Sequence, residues 1–312
     1  MYPKLFSIGP ISVYGYGLMI AIGIISAVWL AMRRCPARGL DRERMFDLGF
    51  FGVLAGIVGA KLLYYIVELP AIIKDPSILL DITSGFVVYG GIIAGILVPY
   101  IYCRVKKLPF LRYLDTAIPS IPMAQGFGRI GCFLSGCCYG APTDSVLGVT
   151  FPVGSMAPSG IPLIPTQLIS SIGDFAIAAF LLWYTRKSVK REPGMAAGWY
   201  MILYGIGRFI IEFFRGDERG MVGFLSTSQF ISVLILIFAV FFMLRCRKRR
   251  KDAEQAELDA KVDAELLAAE EEKKEKEKEW KREGQAFRIH ETTEELTEDV
   301  QEPETDAEET EE

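Results

Sequence analysis

Seven runs of apolar residues, each close to the twenty or so needed to cross a bilayer, constrain this chain more than any other feature. They lie at roughly 11 to 32, 46 to 67, 85 to 103, 116 to 134, 166 to 185, 195 to 214 and 228 to 244. In hydrocarbon, every backbone N–H and C=O must be satisfied within the protein, so apolar runs of this length predict helices. The expected fold class is all-α: a polytopic membrane protein with seven transmembrane helices. The loops divide by charge. Arg33, Arg34, Arg38, Arg42 and Arg44 follow the first run, Arg104, Lys106, Lys107 and Arg112 the third, and Arg186, Lys187, Lys190 and Arg191 the fifth. Arg245, Arg247, Lys248, Arg249, Arg250 and Lys251 follow the seventh. The alternate loops carry Lys74, then no Lys or Arg between Ile130 and Thr185, then Arg215 and Arg219. By the positive-inside rule the N-terminus is expected outside and the C-terminus in the cytoplasm.

Composition adds a boundary. The chain has 312 residues, 51% of them hydrophobic, and a net charge of -4 that conceals a basic stretch up to residue 250 and an acidic one after it. Two regions are expected: a seven-helix transmembrane domain over 1–250 and a charged cytoplasmic tail over 251–312. Leu258, Val262, Leu266 and Leu267 predict a helix in the first part of the tail. Past Gly284 the acidic, Thr-rich end, with the chain's only histidine, His290, reads as disordered.

An arginine near the middle of a membrane helix costs roughly 2.5 to 3.5 kcal/mol on the translocon scale, so one kept at such depth faces a cavity, a partner or a ligand. Arg129 stands late in the fourth run. Under the expected topology, other polar residues gather in the same outer half: Tyr16, Lys61, Tyr89, Gln167, Tyr204, Arg208 and Glu212. A tyrosine there can anchor at the interface and a lysine can snorkel. Arg208 and Glu212, four residues apart on one helical face, can neutralise each other or serve a ligand. Two arginines on separate helices fit phosphate, which guanidinium binds in bidentate fashion at the level of the lipid headgroups. The physical reading is a phospholipid-handling cavity open toward the outer surface. Gly49, Gly52, Gly56 and Gly59 in the second run, Gly85, Gly90, Gly91 and Gly95 in the third, and the small residues of the fourth predict close helix packing around it.

Of six cysteines, Cys35, Cys103 and Cys246 sit at basic ends of apolar runs, and Cys132, Cys137 and Cys138 cluster. Structural zinc takes four Cys or His ligands, and C-x4-C-C spacing without a nearby histidine does not supply them. No metal and no cofactor is expected. A disulfide, small buried apolar groups, or a nucleophile activated by Arg129 remain open for this trio.

The stretch Gly128-Arg129-Ile130-Gly131-x-Phe133-Leu134-x-Gly136-x-x-Tyr139-Gly140 resembles the signature of the prolipoprotein diacylglyceryl transferase family. Tyr16-Gly17-Leu18-Met19, Val88-Tyr89-Gly90-Gly91-Ile92, Pro165-Thr166-Gln167-Leu168 and Tyr204-x-x-x-Arg208-x-x-x-Glu212-Phe213-Phe214-Arg215 resemble its other motifs. So does Leu225-Ser226-Thr227-Ser228-Gln229, and Asp115 precedes the signature as in the family. The likeness covers about residues 10 to 245. Cys132 stands where the family has asparagine, Cys137 where it has glutamate, Ile164 where it has histidine, and Tyr89 where some members have histidine.

What the resemblance implies is a transferase of the bacterial plasma (inner) membrane with its active site toward the outer leaflet. Such enzymes move the diacylglyceryl group of phosphatidylglycerol to the lipobox cysteine of prolipoprotein signal peptides, forming a thioether and releasing glycerol 1-phosphate. Carried onto this chain, Arg129 and Arg208 bind the phosphate and act with Tyr89 as catalytic residues. Glu212 orients Arg208, and Tyr16, Gln167, Gly90, Gly91 and Gly140 line the lipid site. No nucleic-acid partner is expected. The alternative is a protein of the same fold that binds or moves phospholipid without transferring it.

Overall fold

The computed structural model describes residues 4–8, 11–81, 84–186, 193–217, 220–257 and 260. Its contacts divide the chain into two units, Met1–Lys248 and Arg249–Glu312. The tail features from Leu258 onward, His290 included, lie almost wholly outside the described residues. In the second unit Arg250 and Glu254, one helical turn apart, form a 2.8 Å ion pair.

The first unit opens with an antiparallel pair, β1 (Lys4–Ile8) and β2 (Ile11–Tyr14), ahead of α1 (Gly15–Arg34). The first apolar run therefore starts as a strand. Helix α2 (Arg42–Val67) begins at Asp41, whose carboxylate accepts from the Glu43 N–H, and a short α3 (Leu69–Lys74) follows. Then come α4 (Val88–Val105), α5 (Phe110–Ala117) and α6 (Ser120–Ser135). Beyond β3 (Val149–Thr150) and β4 (Pro162–Leu163) lie α7 (Thr166–Tyr184) and α8 (Met195–Ile211). Strands β5 (Met221–Val222) and β6 (Leu225–Ser226) lead into α9 (Thr227–Glu257). The protein is mostly helical, and each of the three sheets among the described residues is a two-stranded ribbon between or before helices.

Among the described residues five helices are long and apolar enough to cross a membrane: α1, α2, α4, α7 and α9. The fourth and sixth runs give shorter helices, α6 with 16 residues and α8 with 17. The fourth run is also not one helix. Pro119 has no N–H to continue the ladder and its ring crowds the preceding turn, so α5 stops at Ala117 and α6 starts afresh at Ser120. Large apolar side chains face outward, among them Ile25, Trp29, Ile57, Leu62, Ile93 and Ile237. That is the surface expected of helices solvated by lipid.

Packing rests on small residues, as the sequence predicts. At the α2–α4 crossing a Cβ on Gly59 would fall 2.6 Å from the Gly90 carbonyl, and one on Gly91 2.9 Å from that of Gly56. The backbones touch because side chains are absent. Gly198 and Gly205 on α8 likewise receive Met243 and Leu236 of α9. The basic residues after α1 also hold helix ends together. Arg34 donates to the Thr116 carbonyl and the Thr185 hydroxyl, both at 2.6 Å, and Arg38 donates to the Thr185 carbonyl at 2.7 Å. Lys61 does not simply snorkel: it donates to the Asp81 and Ser84 carbonyls at 2.5 and 2.6 Å and sits over the rings of Tyr64, Tyr65 and Phe86.

Asp115 ties α5 to the start of α8, accepting from Gly194 N at 2.7 Å and Ala197 N at 3.2 Å. These are orphan N–H groups of a helix N-terminus. Asp115→Ala strands both, and should cost about 2 to 4 kcal/mol, read as a lower midpoint of thermal unfolding in detergent. Burial pushes the Asp115 carboxyl from 3.8 up to about 6, against the backbone N–H groups and Arg38 that hold it down. A raised folded-state value means the group's contribution is full below pH 4 and is lost as pH rises through about 6. Wild type should therefore lose stability relative to Asp115→Asn across that window.

Candidate active site

Helices α6, α7 and α8 enclose a cleft of about 370 Å3. Two helical stripes build it. Ser170, Gly173, Asp174 and Ile177 on α7 recur at spacings of three, one and three, as do Tyr204, Gly207, Arg208 and Ile211 on α8. Such positions share one helical face. Arg129 enters from α6. The two arginines singled out by burial cost thus line one cavity. A second cleft of about 470 Å3, between α1, α2, α4, α5 and α6, is lined by no charged side chain.

The arginines differ in their surroundings. Arg208 Nη2 pairs with Glu212 Oε2 at 2.8 Å and donates to Ser228 Oγ at 2.8 Å. Glu212 Oε1 accepts from Ser226 Oγ at 3.0 Å, and Gln229 Oε1 accepts from Ser226 N at 3.1 Å. Local neutralisation by Glu212, one of two readings of the spacing, is present, with Glu212 held by β6 and Arg208 by the start of α9. Arg129 makes no hydrogen bond or ion pair among the described residues. Asp174, Tyr204, Cys132 and Cys138 act on it only through space. Its donors are left for whatever enters the cleft.

Other expected site residues are distributed around this core. Tyr16, about half exposed, lies against Gly131, where an added Cβ would meet its ring at 3.2 Å. Gln167, 1% exposed, is not a cleft-lining residue: its Nε2 donates to the Cys137 carbonyl at 2.8 Å, and its Oε1 has no partner among the described residues. Gly140 joins three segments, donating to the Ile164 carbonyl at 3.0 Å beside the Ala141 N–H, which reaches the Phe214 carbonyl at 2.9 Å. Gly90 and Gly91 form the α2–α4 contact already described. Tyr89, on the first turn of α4, is 47% exposed and outside the cleft lining.

Two features go beyond the sequence reading. Asp174, 5% exposed, places a carboxylate in the cleft near Arg129, and one of its oxygens has no partner among the described residues. The signal was available, since an acid inside an apolar run carries the same burial cost as an arginine. Tyr200 and Tyr204 stack at 5.7 Å, and the Tyr200 hydroxyl donates to Gln125 Oε1 at 2.8 Å, fixing that wall. The thiols of Cys132, Cys137 and Cys138 are free and lie within 4.8 Å of one another. Hydrogen bonds with Cys132 and Cys137, aided by Arg215, hold the Cys138 thiol below its ordinary range.

Several apolar helices of spanning length define a multi-pass membrane protein, and its cleft brings together two arginines, a carboxylate and a tyrosine. The model of the family described as prolipoprotein diacylglyceryl transferase matches residues 3–245. A curated phosphatidylglycerol–prolipoprotein diacylglyceryl transferase of Clostridium tetani is 51% identical over 241 residues, covering 77% of this chain and 96% of the relative. One from Clostridium perfringens is 47% identical, covering 78% and 94%, and one from Finegoldia magna 34% identical, covering 78% and 95%. The chain belongs to the prolipoprotein diacylglyceryl transferase family.

Proposed function

We propose that this chain transfers the sn-1,2-diacylglyceryl group of phosphatidylglycerol to the lipobox cysteine of a prolipoprotein signal peptide. The acceptor sulfur attacks the glyceryl carbon next to the phosphate. A C–S bond forms, the C–O bond breaks with its electron pair going to the phosphate oxygen, and glycerol 1-phosphate leaves. The acceptor thiol gives up its proton on the way. The observation that carries this reading is Arg129, a guanidinium in the cleft wall without a hydrogen-bonding partner among the described residues. Family membership supplies the reaction.

Arg129 and Arg208 take the lipid phosphate and stabilise the charge that grows on it as the C–O bond breaks. Glu212 fixes Arg208, and Tyr16 and Gln167 shape the side facing the thiol loop. Gly90, Gly91 and Gly140 keep the lipid site closely packed, and Tyr89 is the third catalytic residue, its hydroxyl oxygen accepting a hydrogen bond from the acceptor thiol, whose proton passes on to solvent. In the membrane, α1, α2, α4, α6, α7, α8 and α9 serve as seven spans, with the N-terminus outside and residues 251–312 a cytoplasmic tail to the 1–250 domain. The membrane is the bacterial plasma membrane and the cleft opens toward its outer leaflet. The charge division of the loops supports this orientation.

Membranes containing the chain should attach labelled diacylglycerol from phosphatidylglycerol to a lipobox peptide, with one glycerol 1-phosphate released per transfer. The chain should also restore growth to a strain depleted of its own transferase. Phosphatidylglycerol binding without release of glycerol 1-phosphate in the presence of peptide would overturn the assignment.

A further inference from the structure

The proposed transfer leaves the thiol trio without a task, yet its geometry is specifically held. Helix α6 ends with Gly136 in the left-handed region, φ 75°, and the Cys137 N–H turns back to the Cys132 carbonyl at 3.1 Å. Cys138 adopts φ 63°, a conformation side chains other than glycine seldom take and one that persists only where surroundings impose it. The imposing groups are the buried side chains of Thr166 and Gln167. Thr166 Oγ1 donates to the Cys138 carbonyl at 2.8 Å, and Gln167 Nε2 donates to that of Cys137 at the same distance. Together they turn three sulfurs toward one point.

A zinc ion binds thiolate at about 2.3 Å, which sets sulfurs around a tetrahedral centre about 3.8 Å apart. The trio, with all separations within 4.8 Å, reaches that spacing by side-chain rotation. Charge favours it as well. Three thiolates on a divalent ion carry one net negative charge. The Arg215 guanidinium lies against Cys138, and Arg129 acts on Cys132 and Cys138. No fourth Cys, His or carboxylate joins the group among the described residues. Three protein ligands and an open position are the pattern of catalytic rather than structural zinc.

We propose that Cys132, Cys137 and Cys138 bind a thiophilic divalent cation of the zinc class, and that its fourth position takes the acceptor cysteine as a thiolate beside the Arg129 phosphate site. This rests on the transfer reaction proposed above. When the acceptor coordinates, its S–H proton passes to solvent and a metal–sulfur bond forms, since a coordinating thiol is deprotonated outright. The bound sulfur then attacks the glyceryl carbon, and the C–O electron pair leaves with glycerol 1-phosphate. The thioether formed is neutral and a weaker ligand than a thiolate, so the product departs and the position reopens.

Cobalt(II) tests the site without any reliance on turnover. Purified full-length protein, reduced and stripped with chelator, should take up one cobalt per chain with thiolate charge-transfer and tetrahedral d–d absorption, and zinc should displace it. Cys132→Ser/Cys137→Ser/Cys138→Ser should abolish both bands, whereas Cys35→Ser/Cys246→Ser should keep them. Thr166→Val, which releases the loop, should weaken cobalt binding by about 10- to 100-fold while keeping the spectrum. In case the triple variant does not fold, zinc should also protect the three thiols of wild type from maleimide, mapped by mass spectrometry. A lipobox peptide should shift the d–d bands, and its Cys→Ser counterpart should not. Absent bands, bands that survive in the folded triple variant, or bands indifferent to the peptide would each overturn the proposal. A protein that binds cobalt and responds to peptide but releases no glycerol 1-phosphate would fail the transfer reading instead.

Discussion

Arg129→Ala should lower kcat/KM for diacylglyceryl transfer by roughly 10^2- to 10^3-fold, the loss seen when a preorganised donor to a developing anion is removed, while leaving the folded protein as stable as before or slightly more so. Both halves follow from the same surroundings. The guanidinium lines the cleft and makes no hydrogen bond or ion pair among the described residues. Its removal therefore breaks no intramolecular bond and relieves the desolvation of a charge. What is lost is the five-donor fork that meets phosphate oxygens in pairs. Arg129→Lys keeps the charge but not the fork, and should recover only part of the activity. Asp174, which in wild type feels the Arg129 charge, is left alone with its unpartnered oxygen. Arg129→Ala/Asp174→Asn should accordingly be more stable than Arg129→Ala and no more active. Transfer rates and unfolding midpoints in the same detergent check all three variants. An Arg129→Ala protein that unfolds much earlier yet still transfers would mark the residue as structural.

The helices were legible because lipid imposes one rule on every residue of a span. Apolar runs and alternating basic loops locate the helical segments to within a few residues, except at the end of α9, which runs on to Glu257 through the basic residues that close the apolar run. Where local chemistry competes with that rule, the reading slips. Ile11 to Tyr14 are as apolar as the helix they precede but pair with β1, and Pro119 divides a run that composition makes continuous. Arg129, Arg208 and Glu212 were visible by their burial cost, and the structure places Arg129 and Arg208 in one cleft, with Glu212 paired to Arg208. Asp174 satisfies the same criterion, a single acid among the aliphatic residues of α7. Asp115 could not have been paired with the start of α8 from sequence, since its partners lie 79 and 82 residues away. Nor does C-x4-C-C spacing disclose convergence of three sulfurs, because that depends on a left-handed backbone at Cys138 and on Thr166 and Gln167 from another helix.

Glu212→Ala should behave in the opposite way to Arg129→Ala, costing both stability and transfer. The Arg208 and Glu212 side chains are only 14% and 4% exposed and meet at 2.8 Å. Removing one partner of such a pair strands a buried charge, at a cost of about 3 to 5 kcal/mol. The neutral Ser228 hydroxyl cannot replace the charge of Glu212 beside Arg208, and Ser226 loses the carboxylate it donates to. Arg208→Ala should destabilise similarly, because Glu212 is then the stranded ion. The double variant Arg208→Ala/Glu212→Ala leaves neither charge, so much of the lost stability should return. Its loss of unfolding free energy should be well below the sum of the two single losses, a coupling read directly from the double-mutant cycle. Transfer should not return with it. If Arg208 contacts the phosphate, stability and activity separate in the double variant, which folds without a second guanidinium in the cleft. Additive losses of stability would mean that the pair is not coupled, and recovery of transfer alongside stability would confine Arg208 to holding α8 against α9.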